Sequence, residues 1–150
     1  MKKILITIFS LSVLFGCQSD EQYEDLNRDP KNPTDVAAEF LYNSATKSLV
    51  DQMTNTNVNN NIFRLLGQYW TETTYTDEAN YDFTGRNIPQ NHWSEMYRDV
   101  LLDFNTAKDV VNASALSQQQ KNARLAQIEV LSIYTWQQLV DTFGDIPYTE

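Results

Sequence analysis

The sequence is poor in the residues that many enzyme sites and cross-linked folds require, with one cysteine, one histidine and four glycines among 150 residues. A single cysteine cannot form an internal disulfide, so packing alone must hold the fold. A single histidine, His92, excludes a histidine-rich metal site. The sequence contains no GxSxG nucleophile motif and no glycine-rich loop for phosphate groups. We therefore expect no catalytic triad, no metal ion and no cofactor.

Basic residues are also scarce. The chain has 11 lysines and arginines against 20 aspartates and glutamates, a net charge of −9. Such a surface disfavours binding to nucleic acid and to anionic lipid headgroups. The charge does not discriminate among neutral ligands, and solubility alone would account for it. We predict no nucleic-acid partner.

The amino terminus has the pattern of an export signal. Lys2 and Lys3 precede an apolar run from Ile4 to Phe15, which is too short to span a bilayer. The LFGC motif that ends this run at Cys17 resembles the lipobox of bacterial lipoproteins, in which the cysteine is acylated after cleavage. An ordinary secretory signal with an incidental cysteine is the alternative. Lipidation of Cys17 is favoured because the single cysteine lies where the apolar run ends.

These features predict a signal peptide at residues 1–16 and an acidic tether at residues 17–33, followed by a domain at residues 34–150. The QSDE sequence after Cys17 resembles the acidic export tag that directs surface lipoproteins outward in the Bacteroidetes. Two prolines then lie in a turn-rich run, and Thr34 has the chemistry of a helix N-cap.

The domain shows helical periodicity in successive stretches. The first predicted helix ends between Gln52 and Asn55, the second continues through Trp70, and the third extends from about Pro89 to Asn112. Their predicted inward faces comprise Val36, Phe40, Leu41, Ala45, Leu49 and Met53 in the first helix, Ile62, Leu65, Leu66, Tyr69 and Trp70 in the second, and Trp93, Tyr97, Val100, Leu101, Phe104, Ala107 and Val111 in the third.

The fourth predicted helix begins at Ser117, whose spacing from Gln120 fits a capping box, and ends at Gly144. It is apolar on more than one face, so we expect it to lie at the centre of the packing. We also expect Trp93 and Trp136 to be core residues. Helices without any strand pattern predict an all-α fold with tetratricopeptide-like helix pairs, although no strict 34-residue repeat is visible. We expect the chain to be a fragment of a larger α-helical domain.

The segment between the second and third predicted helices is our candidate ligand site. It is rich in Thr, Asp and Asn, which favour loops, and it also carries several aromatic residues. Sugars present flat C–H faces and a rim of hydroxyl groups, which aromatic rings and planar polar groups can bind. The predicted ligand-binding residues are Trp70, Tyr75, Asp77, Asn80, Tyr81 and Arg86. The alternative for Tyr75 and Tyr81 is that they pack back onto the helices and brace the loop.

Three carboxylates in this loop raise the question of catalysis. A glycoside hydrolase needs two carboxyl groups at a defined separation across the scissile bond. Asp77, Glu78 and Asp82 show no sequence feature that specifies such a separation, and acidic loops are usually solvated. Asp77, Asn80 and Asp82 also lack the spacing of a calcium-binding loop. We predict a protein without catalytic activity.

Several motifs in order resemble the SusD/RagB family. They are the lipobox, LNRDPKNPT at residues 26–34, LGQYW at 66–70, Tyr75 with ANY at 79–81, Trp93 with Tyr97, and DTFGDIPY at 141–148. The likeness spans about residues 17–150 and is strongest to the SusD-like branch, described as starch-binding and associating with the outer membrane. We interpret the FGDIPY motif as structural, with a helix stop, a turn and a rigid proline.

The resemblance implies an α-helical lipoprotein anchored by its lipid in the outer membrane and facing the cell exterior. It would bind an oligosaccharide or another nutrient without cleaving it, and would act with a TonB-dependent transporter of the SusC type. The alternative is a helical-repeat scaffold that binds a protein or peptide and has no sugar ligand.

Overall fold

The computed structural model describes residues 23–24 and 35–148. The chain divides into two compact units, Met1–Asp35 and Val36–Glu150. In the first unit, Tyr23 and Glu24 are helical and exposed. The predicted signal peptide, Cys17, the tether and the Thr34 cap lie outside the described residues. Within the part of the chain that is described, no helix is long and apolar enough to cross a membrane.

The second unit is built from helices, and no strand occurs between residues 35 and 148. The all-α prediction is therefore confirmed. In chain order the elements are α1 (Ala38–Thr54), α2 (Phe63–Leu66), a 3₁₀ turn (Glu78–Asn80), α3 (Ile88–Ser94), a π-helical segment (Glu95–Leu101), α4 (Leu102–Ala113) and α5 (Gln118–Phe143).

The core lies where α1, the π-helical segment, α4 and α5 meet. Its centre is fully buried Phe104 of α4, and the ring of Tyr42 from α1 packs 6.0 Å from it, centroid to centroid. Each fully buried side chain of this size stabilises the fold by roughly 1.5–3 kcal/mol. The buried apolar members are Ala38, Ala45, Leu49, Met96, Val100, Leu101, Phe104, Ala107, Val111, Ile128 and Leu139.

Helix α1 begins at Ala38, later than predicted, and its N-cap residue Ala37 makes no side-chain capping bond. The prediction that Phe40 faces inward is wrong, because its side chain is 70% exposed. Ala38, Ala45 and Leu49 define the buried face. Phe40 lies two residues after Ala38, which places it about 200° around the helix axis, on the opposite side.

Helix α2 is much shorter than predicted and ends at Leu66. Gln68 adopts a left-handed conformation with φ of 57°. Its amide donates to Leu65 O over 2.9 Å, and the Tyr69 amide donates to Arg64 O over 2.9 Å, which is the bonding pattern of a Schellman motif. The prediction that Tyr69 and Trp70 belong to an inward helical face is therefore wrong.

The third predicted helix is confirmed as a continuous helical stretch from Ile88 to Ala113, with Pro89 in its first turn. Seven residues within it, Glu95–Leu101, have π-helical bonding. Trp93 is covered over most of its surface and stacks on Tyr97 at a centroid distance of 4.6 Å.

Helix α5 begins and ends as predicted. The Ser117 amide donates to Gln120 Oε1 over 3.1 Å, and the Gln120 amide donates to Ser117 Oγ, which completes the capping box. Gly144 follows the last turn with φ of 78°. We expected this helix to lie at the centre of the packing. Within the described residues, however, other helices cover only one face of α5. Val130, Ile133 and Val140 remain exposed.

The segment after α5 folds back against its last turns. The Tyr97 hydroxyl donates to Pro147 O over 2.8 Å, and the Tyr148 ring meets Trp136 edge-on at 5.0 Å. Trp136 itself is partly buried and packs against the core. These contacts agree with a structural role for the FGDIPY motif.

Candidate functional site

The loop between α2 and α3 is held by an ion pair between buried Glu78 and partly exposed Arg86. Glu78 is 1% exposed, and its two carboxylate oxygens accept from Nε and Nη2 of Arg86, with Nε 2.6 Å from Oε1. The Arg86 Nη1 group donates to Asn59 Oδ1 over 2.6 Å. The hydrogen bonds from Arg86 hold the pKa of Glu78 below its ordinary value. Arg86 therefore joins both sides of the loop to the segment before α2.

Glu72 adds a second negative group to the Glu78–Arg86 pair, which we call the clamp. One of its carboxylate oxygens lies 3.8 Å from Arg86 Nη2, and the other is buried without a hydrogen-bond partner. Arg86 thus lies between two carboxylates. The hydrogen bonds to Glu78 raise the pKa of the Arg86 guanidinium, and the negative charges of Glu78, Glu72 and Asp77 raise it further.

Tyr81 braces the loop from its other end. It follows the 3₁₀ turn in a left-handed conformation with φ of 62°. Its hydroxyl donates to Leu66 O over 3.1 Å and accepts from Gln68 Nε2 over 3.1 Å. The side chain therefore ties the loop to the end of α2, while about half of it stays exposed.

Three further aromatic residues of the loop are directed to solvent. Tyr69 is 85% exposed, Tyr75 is 73% exposed and Trp70 is 45% exposed. The Arg64 guanidinium lies 5.1 Å from the Trp70 ring centre, at cation–π distance. Three large aromatic side chains are therefore exposed within seven residues of one loop, and contiguous exposed apolar surface of this kind often marks a binding site.

The remaining acidic residues have separate surroundings. Asp82 accepts from the Thr84 amide over 3.0 Å and from the Thr84 hydroxyl over 2.7 Å, which lowers the pKa of Asp82. Glu78 is paired with Arg86, whereas Asp77 is exposed. Glu78 and Asp82 therefore use their carboxylates in local structure. Between residues 35 and 148, no group of three or more His, Cys, Asp or Glu side chains is placed to hold a metal ion.

The six predicted ligand residues therefore divide into two groups. Arg86 and Tyr81 use their polar atoms in hydrogen bonds that hold the loop in place. Trp70, Tyr75, Asp77 and Asn80 are exposed. Sequence reasoning missed Tyr69, which it placed on a helical face, and Glu78 as the partner of Arg86. The LGQYW sequence contained a signal that Tyr69 lies beyond the helix, since a glycine such as Gly67 often marks a helix end.

Comparison with known protein families identifies the family of this chain. A profile of the SusD-like family, described as starch-binding associating with outer membrane, matches residues 30–150. No curated protein and no solved structure matches the chain.

Proposed function

Since this chain belongs to the SusD-like family of starch-binding proteins that associate with the outer membrane, we propose that its α2–α3 loop binds glycan. The observation that carries this proposal is the exposure of Tyr69, Trp70 and Tyr75 on a loop that the Glu78–Arg86 ion pair holds in place. The protein would bind an oligosaccharide and pass it on without cleaving it.

The chemistry of the exposed groups suits a sugar. A tyrosine or tryptophan ring offers a flat apolar face to the C–H surface of a pyranose ring, and its polar edge can bind hydroxyl groups. Asp77 and Asn80 lie in the same loop and are exposed, so a ligand can reach their planar polar groups. They would bind sugar hydroxyl groups at the edge of the aromatic surface.

The clamp should increase the affinity of the loop for a sugar. Ordering a flexible loop on binding costs conformational entropy, which reduces affinity. Here the Glu78–Arg86 pair and the Tyr81 hydroxyl already restrain the loop at residues on both sides of Tyr75. A restrained loop loses less freedom when a ligand arrives, so more of the contact energy becomes affinity.

The wider role that we propose follows the family. The protein would be anchored through a lipid on Cys17, face the cell exterior, and deliver its glycan to a TonB-dependent transporter of the SusC type. No cofactor is needed for such a role.

A matched pair of variants tests the sugar site. Binding of a soluble malto-oligosaccharide to the full chain would be measured by titration calorimetry. Tyr75→Ala should weaken the affinity roughly three- to tenfold, the loss expected for one aromatic contact. Phe40→Ala is the control, because Phe40 is equally exposed but lies on α1. Equal affinities for wild type, Tyr75→Ala and a Tyr69→Ala, Tyr75→Ala double variant would remove the loop from the site.

The alternative function, a helical scaffold for a protein or peptide, is favoured by the exposed apolar side of α5. Val130, Ile133 and Val140 lie there without cover from the described residues. Sugar-independent co-purification with a protein, lost in Ile133→Asp and retained in Tyr75→Ala, would support this alternative.

A further inference from the structure

A polar cavity of about 290 Å³ lies between α1, the segment after it and the helical stretch that begins at Ile88. It includes none of the residues proposed to bind sugar. Ligand pockets commonly begin at about 300 Å³, so a cavity of this size suits a small molecule. All of its lining residues are polar or charged, namely Gln52, Asn60, Asn91, Ser94, Glu95 and Arg98.

Two contacts between α1 and the facing helical stretch place Glu95 beside Gln52. The Ser48 side chain of α1 lies close enough to the Glu95 carboxylate to act on its pKa. One turn later on α1, the Gln52 amide lies 2.7 Å from His92 Nδ1. Residues four apart on a helix are neighbours, with roughly 5–6 Å between their Cβ atoms. Glu95 and Gln52 therefore line the cavity from adjacent positions.

Gln52 presents an acceptor that a ligand can reach. The side chain is 7% exposed, and its Nε2 donates to Asn60 O over 2.8 Å and to His92 Nδ1 over 2.7 Å. Since a backbone carbonyl can only accept, the atom facing Asn60 O is the nitrogen, and the other atom is the oxygen. Within the described part of the chain, nothing donates to this Oε1. It is nevertheless not enclosed, because the buried side-chain atoms without a partner are Glu72 Oε2 and His92 Nε2.

Glu95 forms no ion pair with the residues described between 35 and 148. Arg98 directs Nε and Nη2 to the Asp99 carboxylate, which matches its charge. Lys47 of α1, whose charge also reaches Glu95, is bonded to Asp51. Burial raises the pKa of the Glu95 carboxyl, and the charge of Asp99 raises it further. The cavity therefore has unmatched negative charge.

A primary ammonium group fits these two acceptors. It carries three N–H donors and one positive charge. A neutral hydroxyl group would satisfy Gln52 Oε1 and leave the charge of Glu95 unmatched. The net charge of −9 also favours a cation near this surface. Glu95 begins the π-helical segment, and π-helical bonding often occurs at functional sites.

We propose that this cavity binds the ammonium group of a small primary amine, which donates to the Glu95 carboxylate and to Gln52 Oε1. Asn60 and Asn91, which are exposed, contact the rest of the ligand. This site goes beyond the glycan function and uses none of the residues proposed for the sugar.

Three probes separate charge from hydrogen bonding. The n-propylammonium ion has both, n-propanol has a similar shape without the charge, and tetramethylammonium has the charge without N–H groups. Chemical-shift titration of the full chain at low salt, where charges are least screened, should show saturable binding of n-propylammonium and much weaker binding of the other two. Equal binding of n-propanol or of tetramethylammonium would overturn the proposal, as would wild type that binds none of the probes.

A matched pair of variants tests the role of Glu95. Glu95→Gln keeps an acceptor oxygen and removes the charge, so we expect it to weaken n-propylammonium binding roughly tenfold, the effect of one charge-assisted hydrogen bond. Glu129→Gln removes an equal charge from an exposed position on α5 and should leave the affinity unchanged. Equal losses in the two variants, or no loss in either, would refute the assigned contact.

A second pair tests the location. Asn91→Trp places a large side chain at the cavity wall and should abolish binding, whereas Gln90→Trp, at the adjacent exposed position outside the lining, should leave binding unchanged. Binding that survives Asn91→Trp would place the ligand elsewhere and refute the proposal.

If Glu95→Gln does not fold, wild-type protein with ¹³C-labelled glutamate provides the same test. The pH midpoint of the Glu95 carboxyl resonance should fall when n-propylammonium is bound, because a neighbouring cation favours the ionised form, and should not move with n-propanol. An unchanged midpoint would again refute the contact. Tyr75→Ala should leave n-propylammonium affinity unchanged, which separates failure of this site from failure of the sugar site.

Discussion

The clamp between Glu78 and Arg86 leads to a quantitative prediction for Glu78→Gln. The glutamate accepts two charge-assisted hydrogen bonds from Arg86, one at each carboxylate oxygen. Glutamine keeps one acceptor oxygen and turns an amide group toward the guanidinium, so one of the two bonds is lost. A hydrogen bond to a charged group contributes roughly 1.5–3 kcal/mol. Because the Arg86 side chain is partly exposed and can bind water instead, we expect the lower value, about 1.5 kcal/mol.

Hydrogen exchange of the loop amides measures this change. The Tyr81 amide donates to Glu78 O over 3.1 Å, and the Asp82 amide donates to Asp77 O over 2.8 Å, so both report opening of the loop. A loss of about 1.5 kcal/mol corresponds to roughly tenfold faster exchange at these two amides. Exchange in the core of α4 should not change.

The matched control removes a similar charge from a surface pair. Glu129 lies 2.6 Å from Lys108, and both side chains reach solvent. Exposed pairs contribute little, so Glu129→Gln should leave exchange in the loop unchanged. If Glu78→Gln exchanges at the wild-type rate at Tyr81 and Asp82, the ion pair does not hold the loop, and the argument for a restrained sugar site fails.

Four further predictions follow from the same contacts. The pKa of Glu78 is lowered in the folded chain, so its stabilising effect is complete above the ordinary glutamate pKa of 4.5 and is lost as the pH falls through the pKa of the folded state. Hydrogen exchange of the loop amides, corrected for intrinsic rates, should therefore become faster in that acidic range in wild type but not in Glu78→Gln. Trp93→Ala should lower the free energy of unfolding in urea by about 3 kcal/mol, since the ring contacts Tyr97 and Phe143, and wild-type stability would refute its structural role. Ser117→Ala should lower the free energy of unfolding by about 1 kcal/mol in the same assay, because it removes the capping box of α5. The control is Ser44→Ala at an exposed position of α1, and an equal loss of stability in the two variants would contradict the prediction. Fatty-acid labelling should mark wild type and disappear in Cys17→Ala; persistent labelling would show that another residue is acylated.

The helix boundaries that sequence reasoning predicted well are those with local chemical signals. Ser117 with Gln120 and the glycine at Gly144 delimit α5, and Pro89 marks the first turn of α3. Such signals act through neighbours in the chain, so they can be recognised without knowledge of the fold. The end of α2 was missed because a glutamine, Gln68, adopts the left-handed conformation that glycine usually occupies.

Other features depend on contacts between distant segments, which periodicity cannot reveal. The exposure of Phe40 depends on which side of α1 faces α4 and the π-helical segment. No sequence pattern marked residues 95–101 for π-helical bonding. The loop was correctly placed between two helices, yet the role of Arg86 depends on burial of Glu78 and on Asn59, which lies 27 residues away. Buried polar pairs of this kind are visible only after the chain has folded.

The central claim is that the exposed rings of the α2–α3 loop bind sugar. Intermolecular nuclear Overhauser effects between a bound malto-oligosaccharide and the full chain test this most directly. We predict cross-peaks from the sugar C–H protons to the ring protons of Tyr75 and of Tyr69 or Trp70, with none to Phe40. Saturable sugar binding whose cross-peaks involve only residues outside 69–81 would contradict the claim.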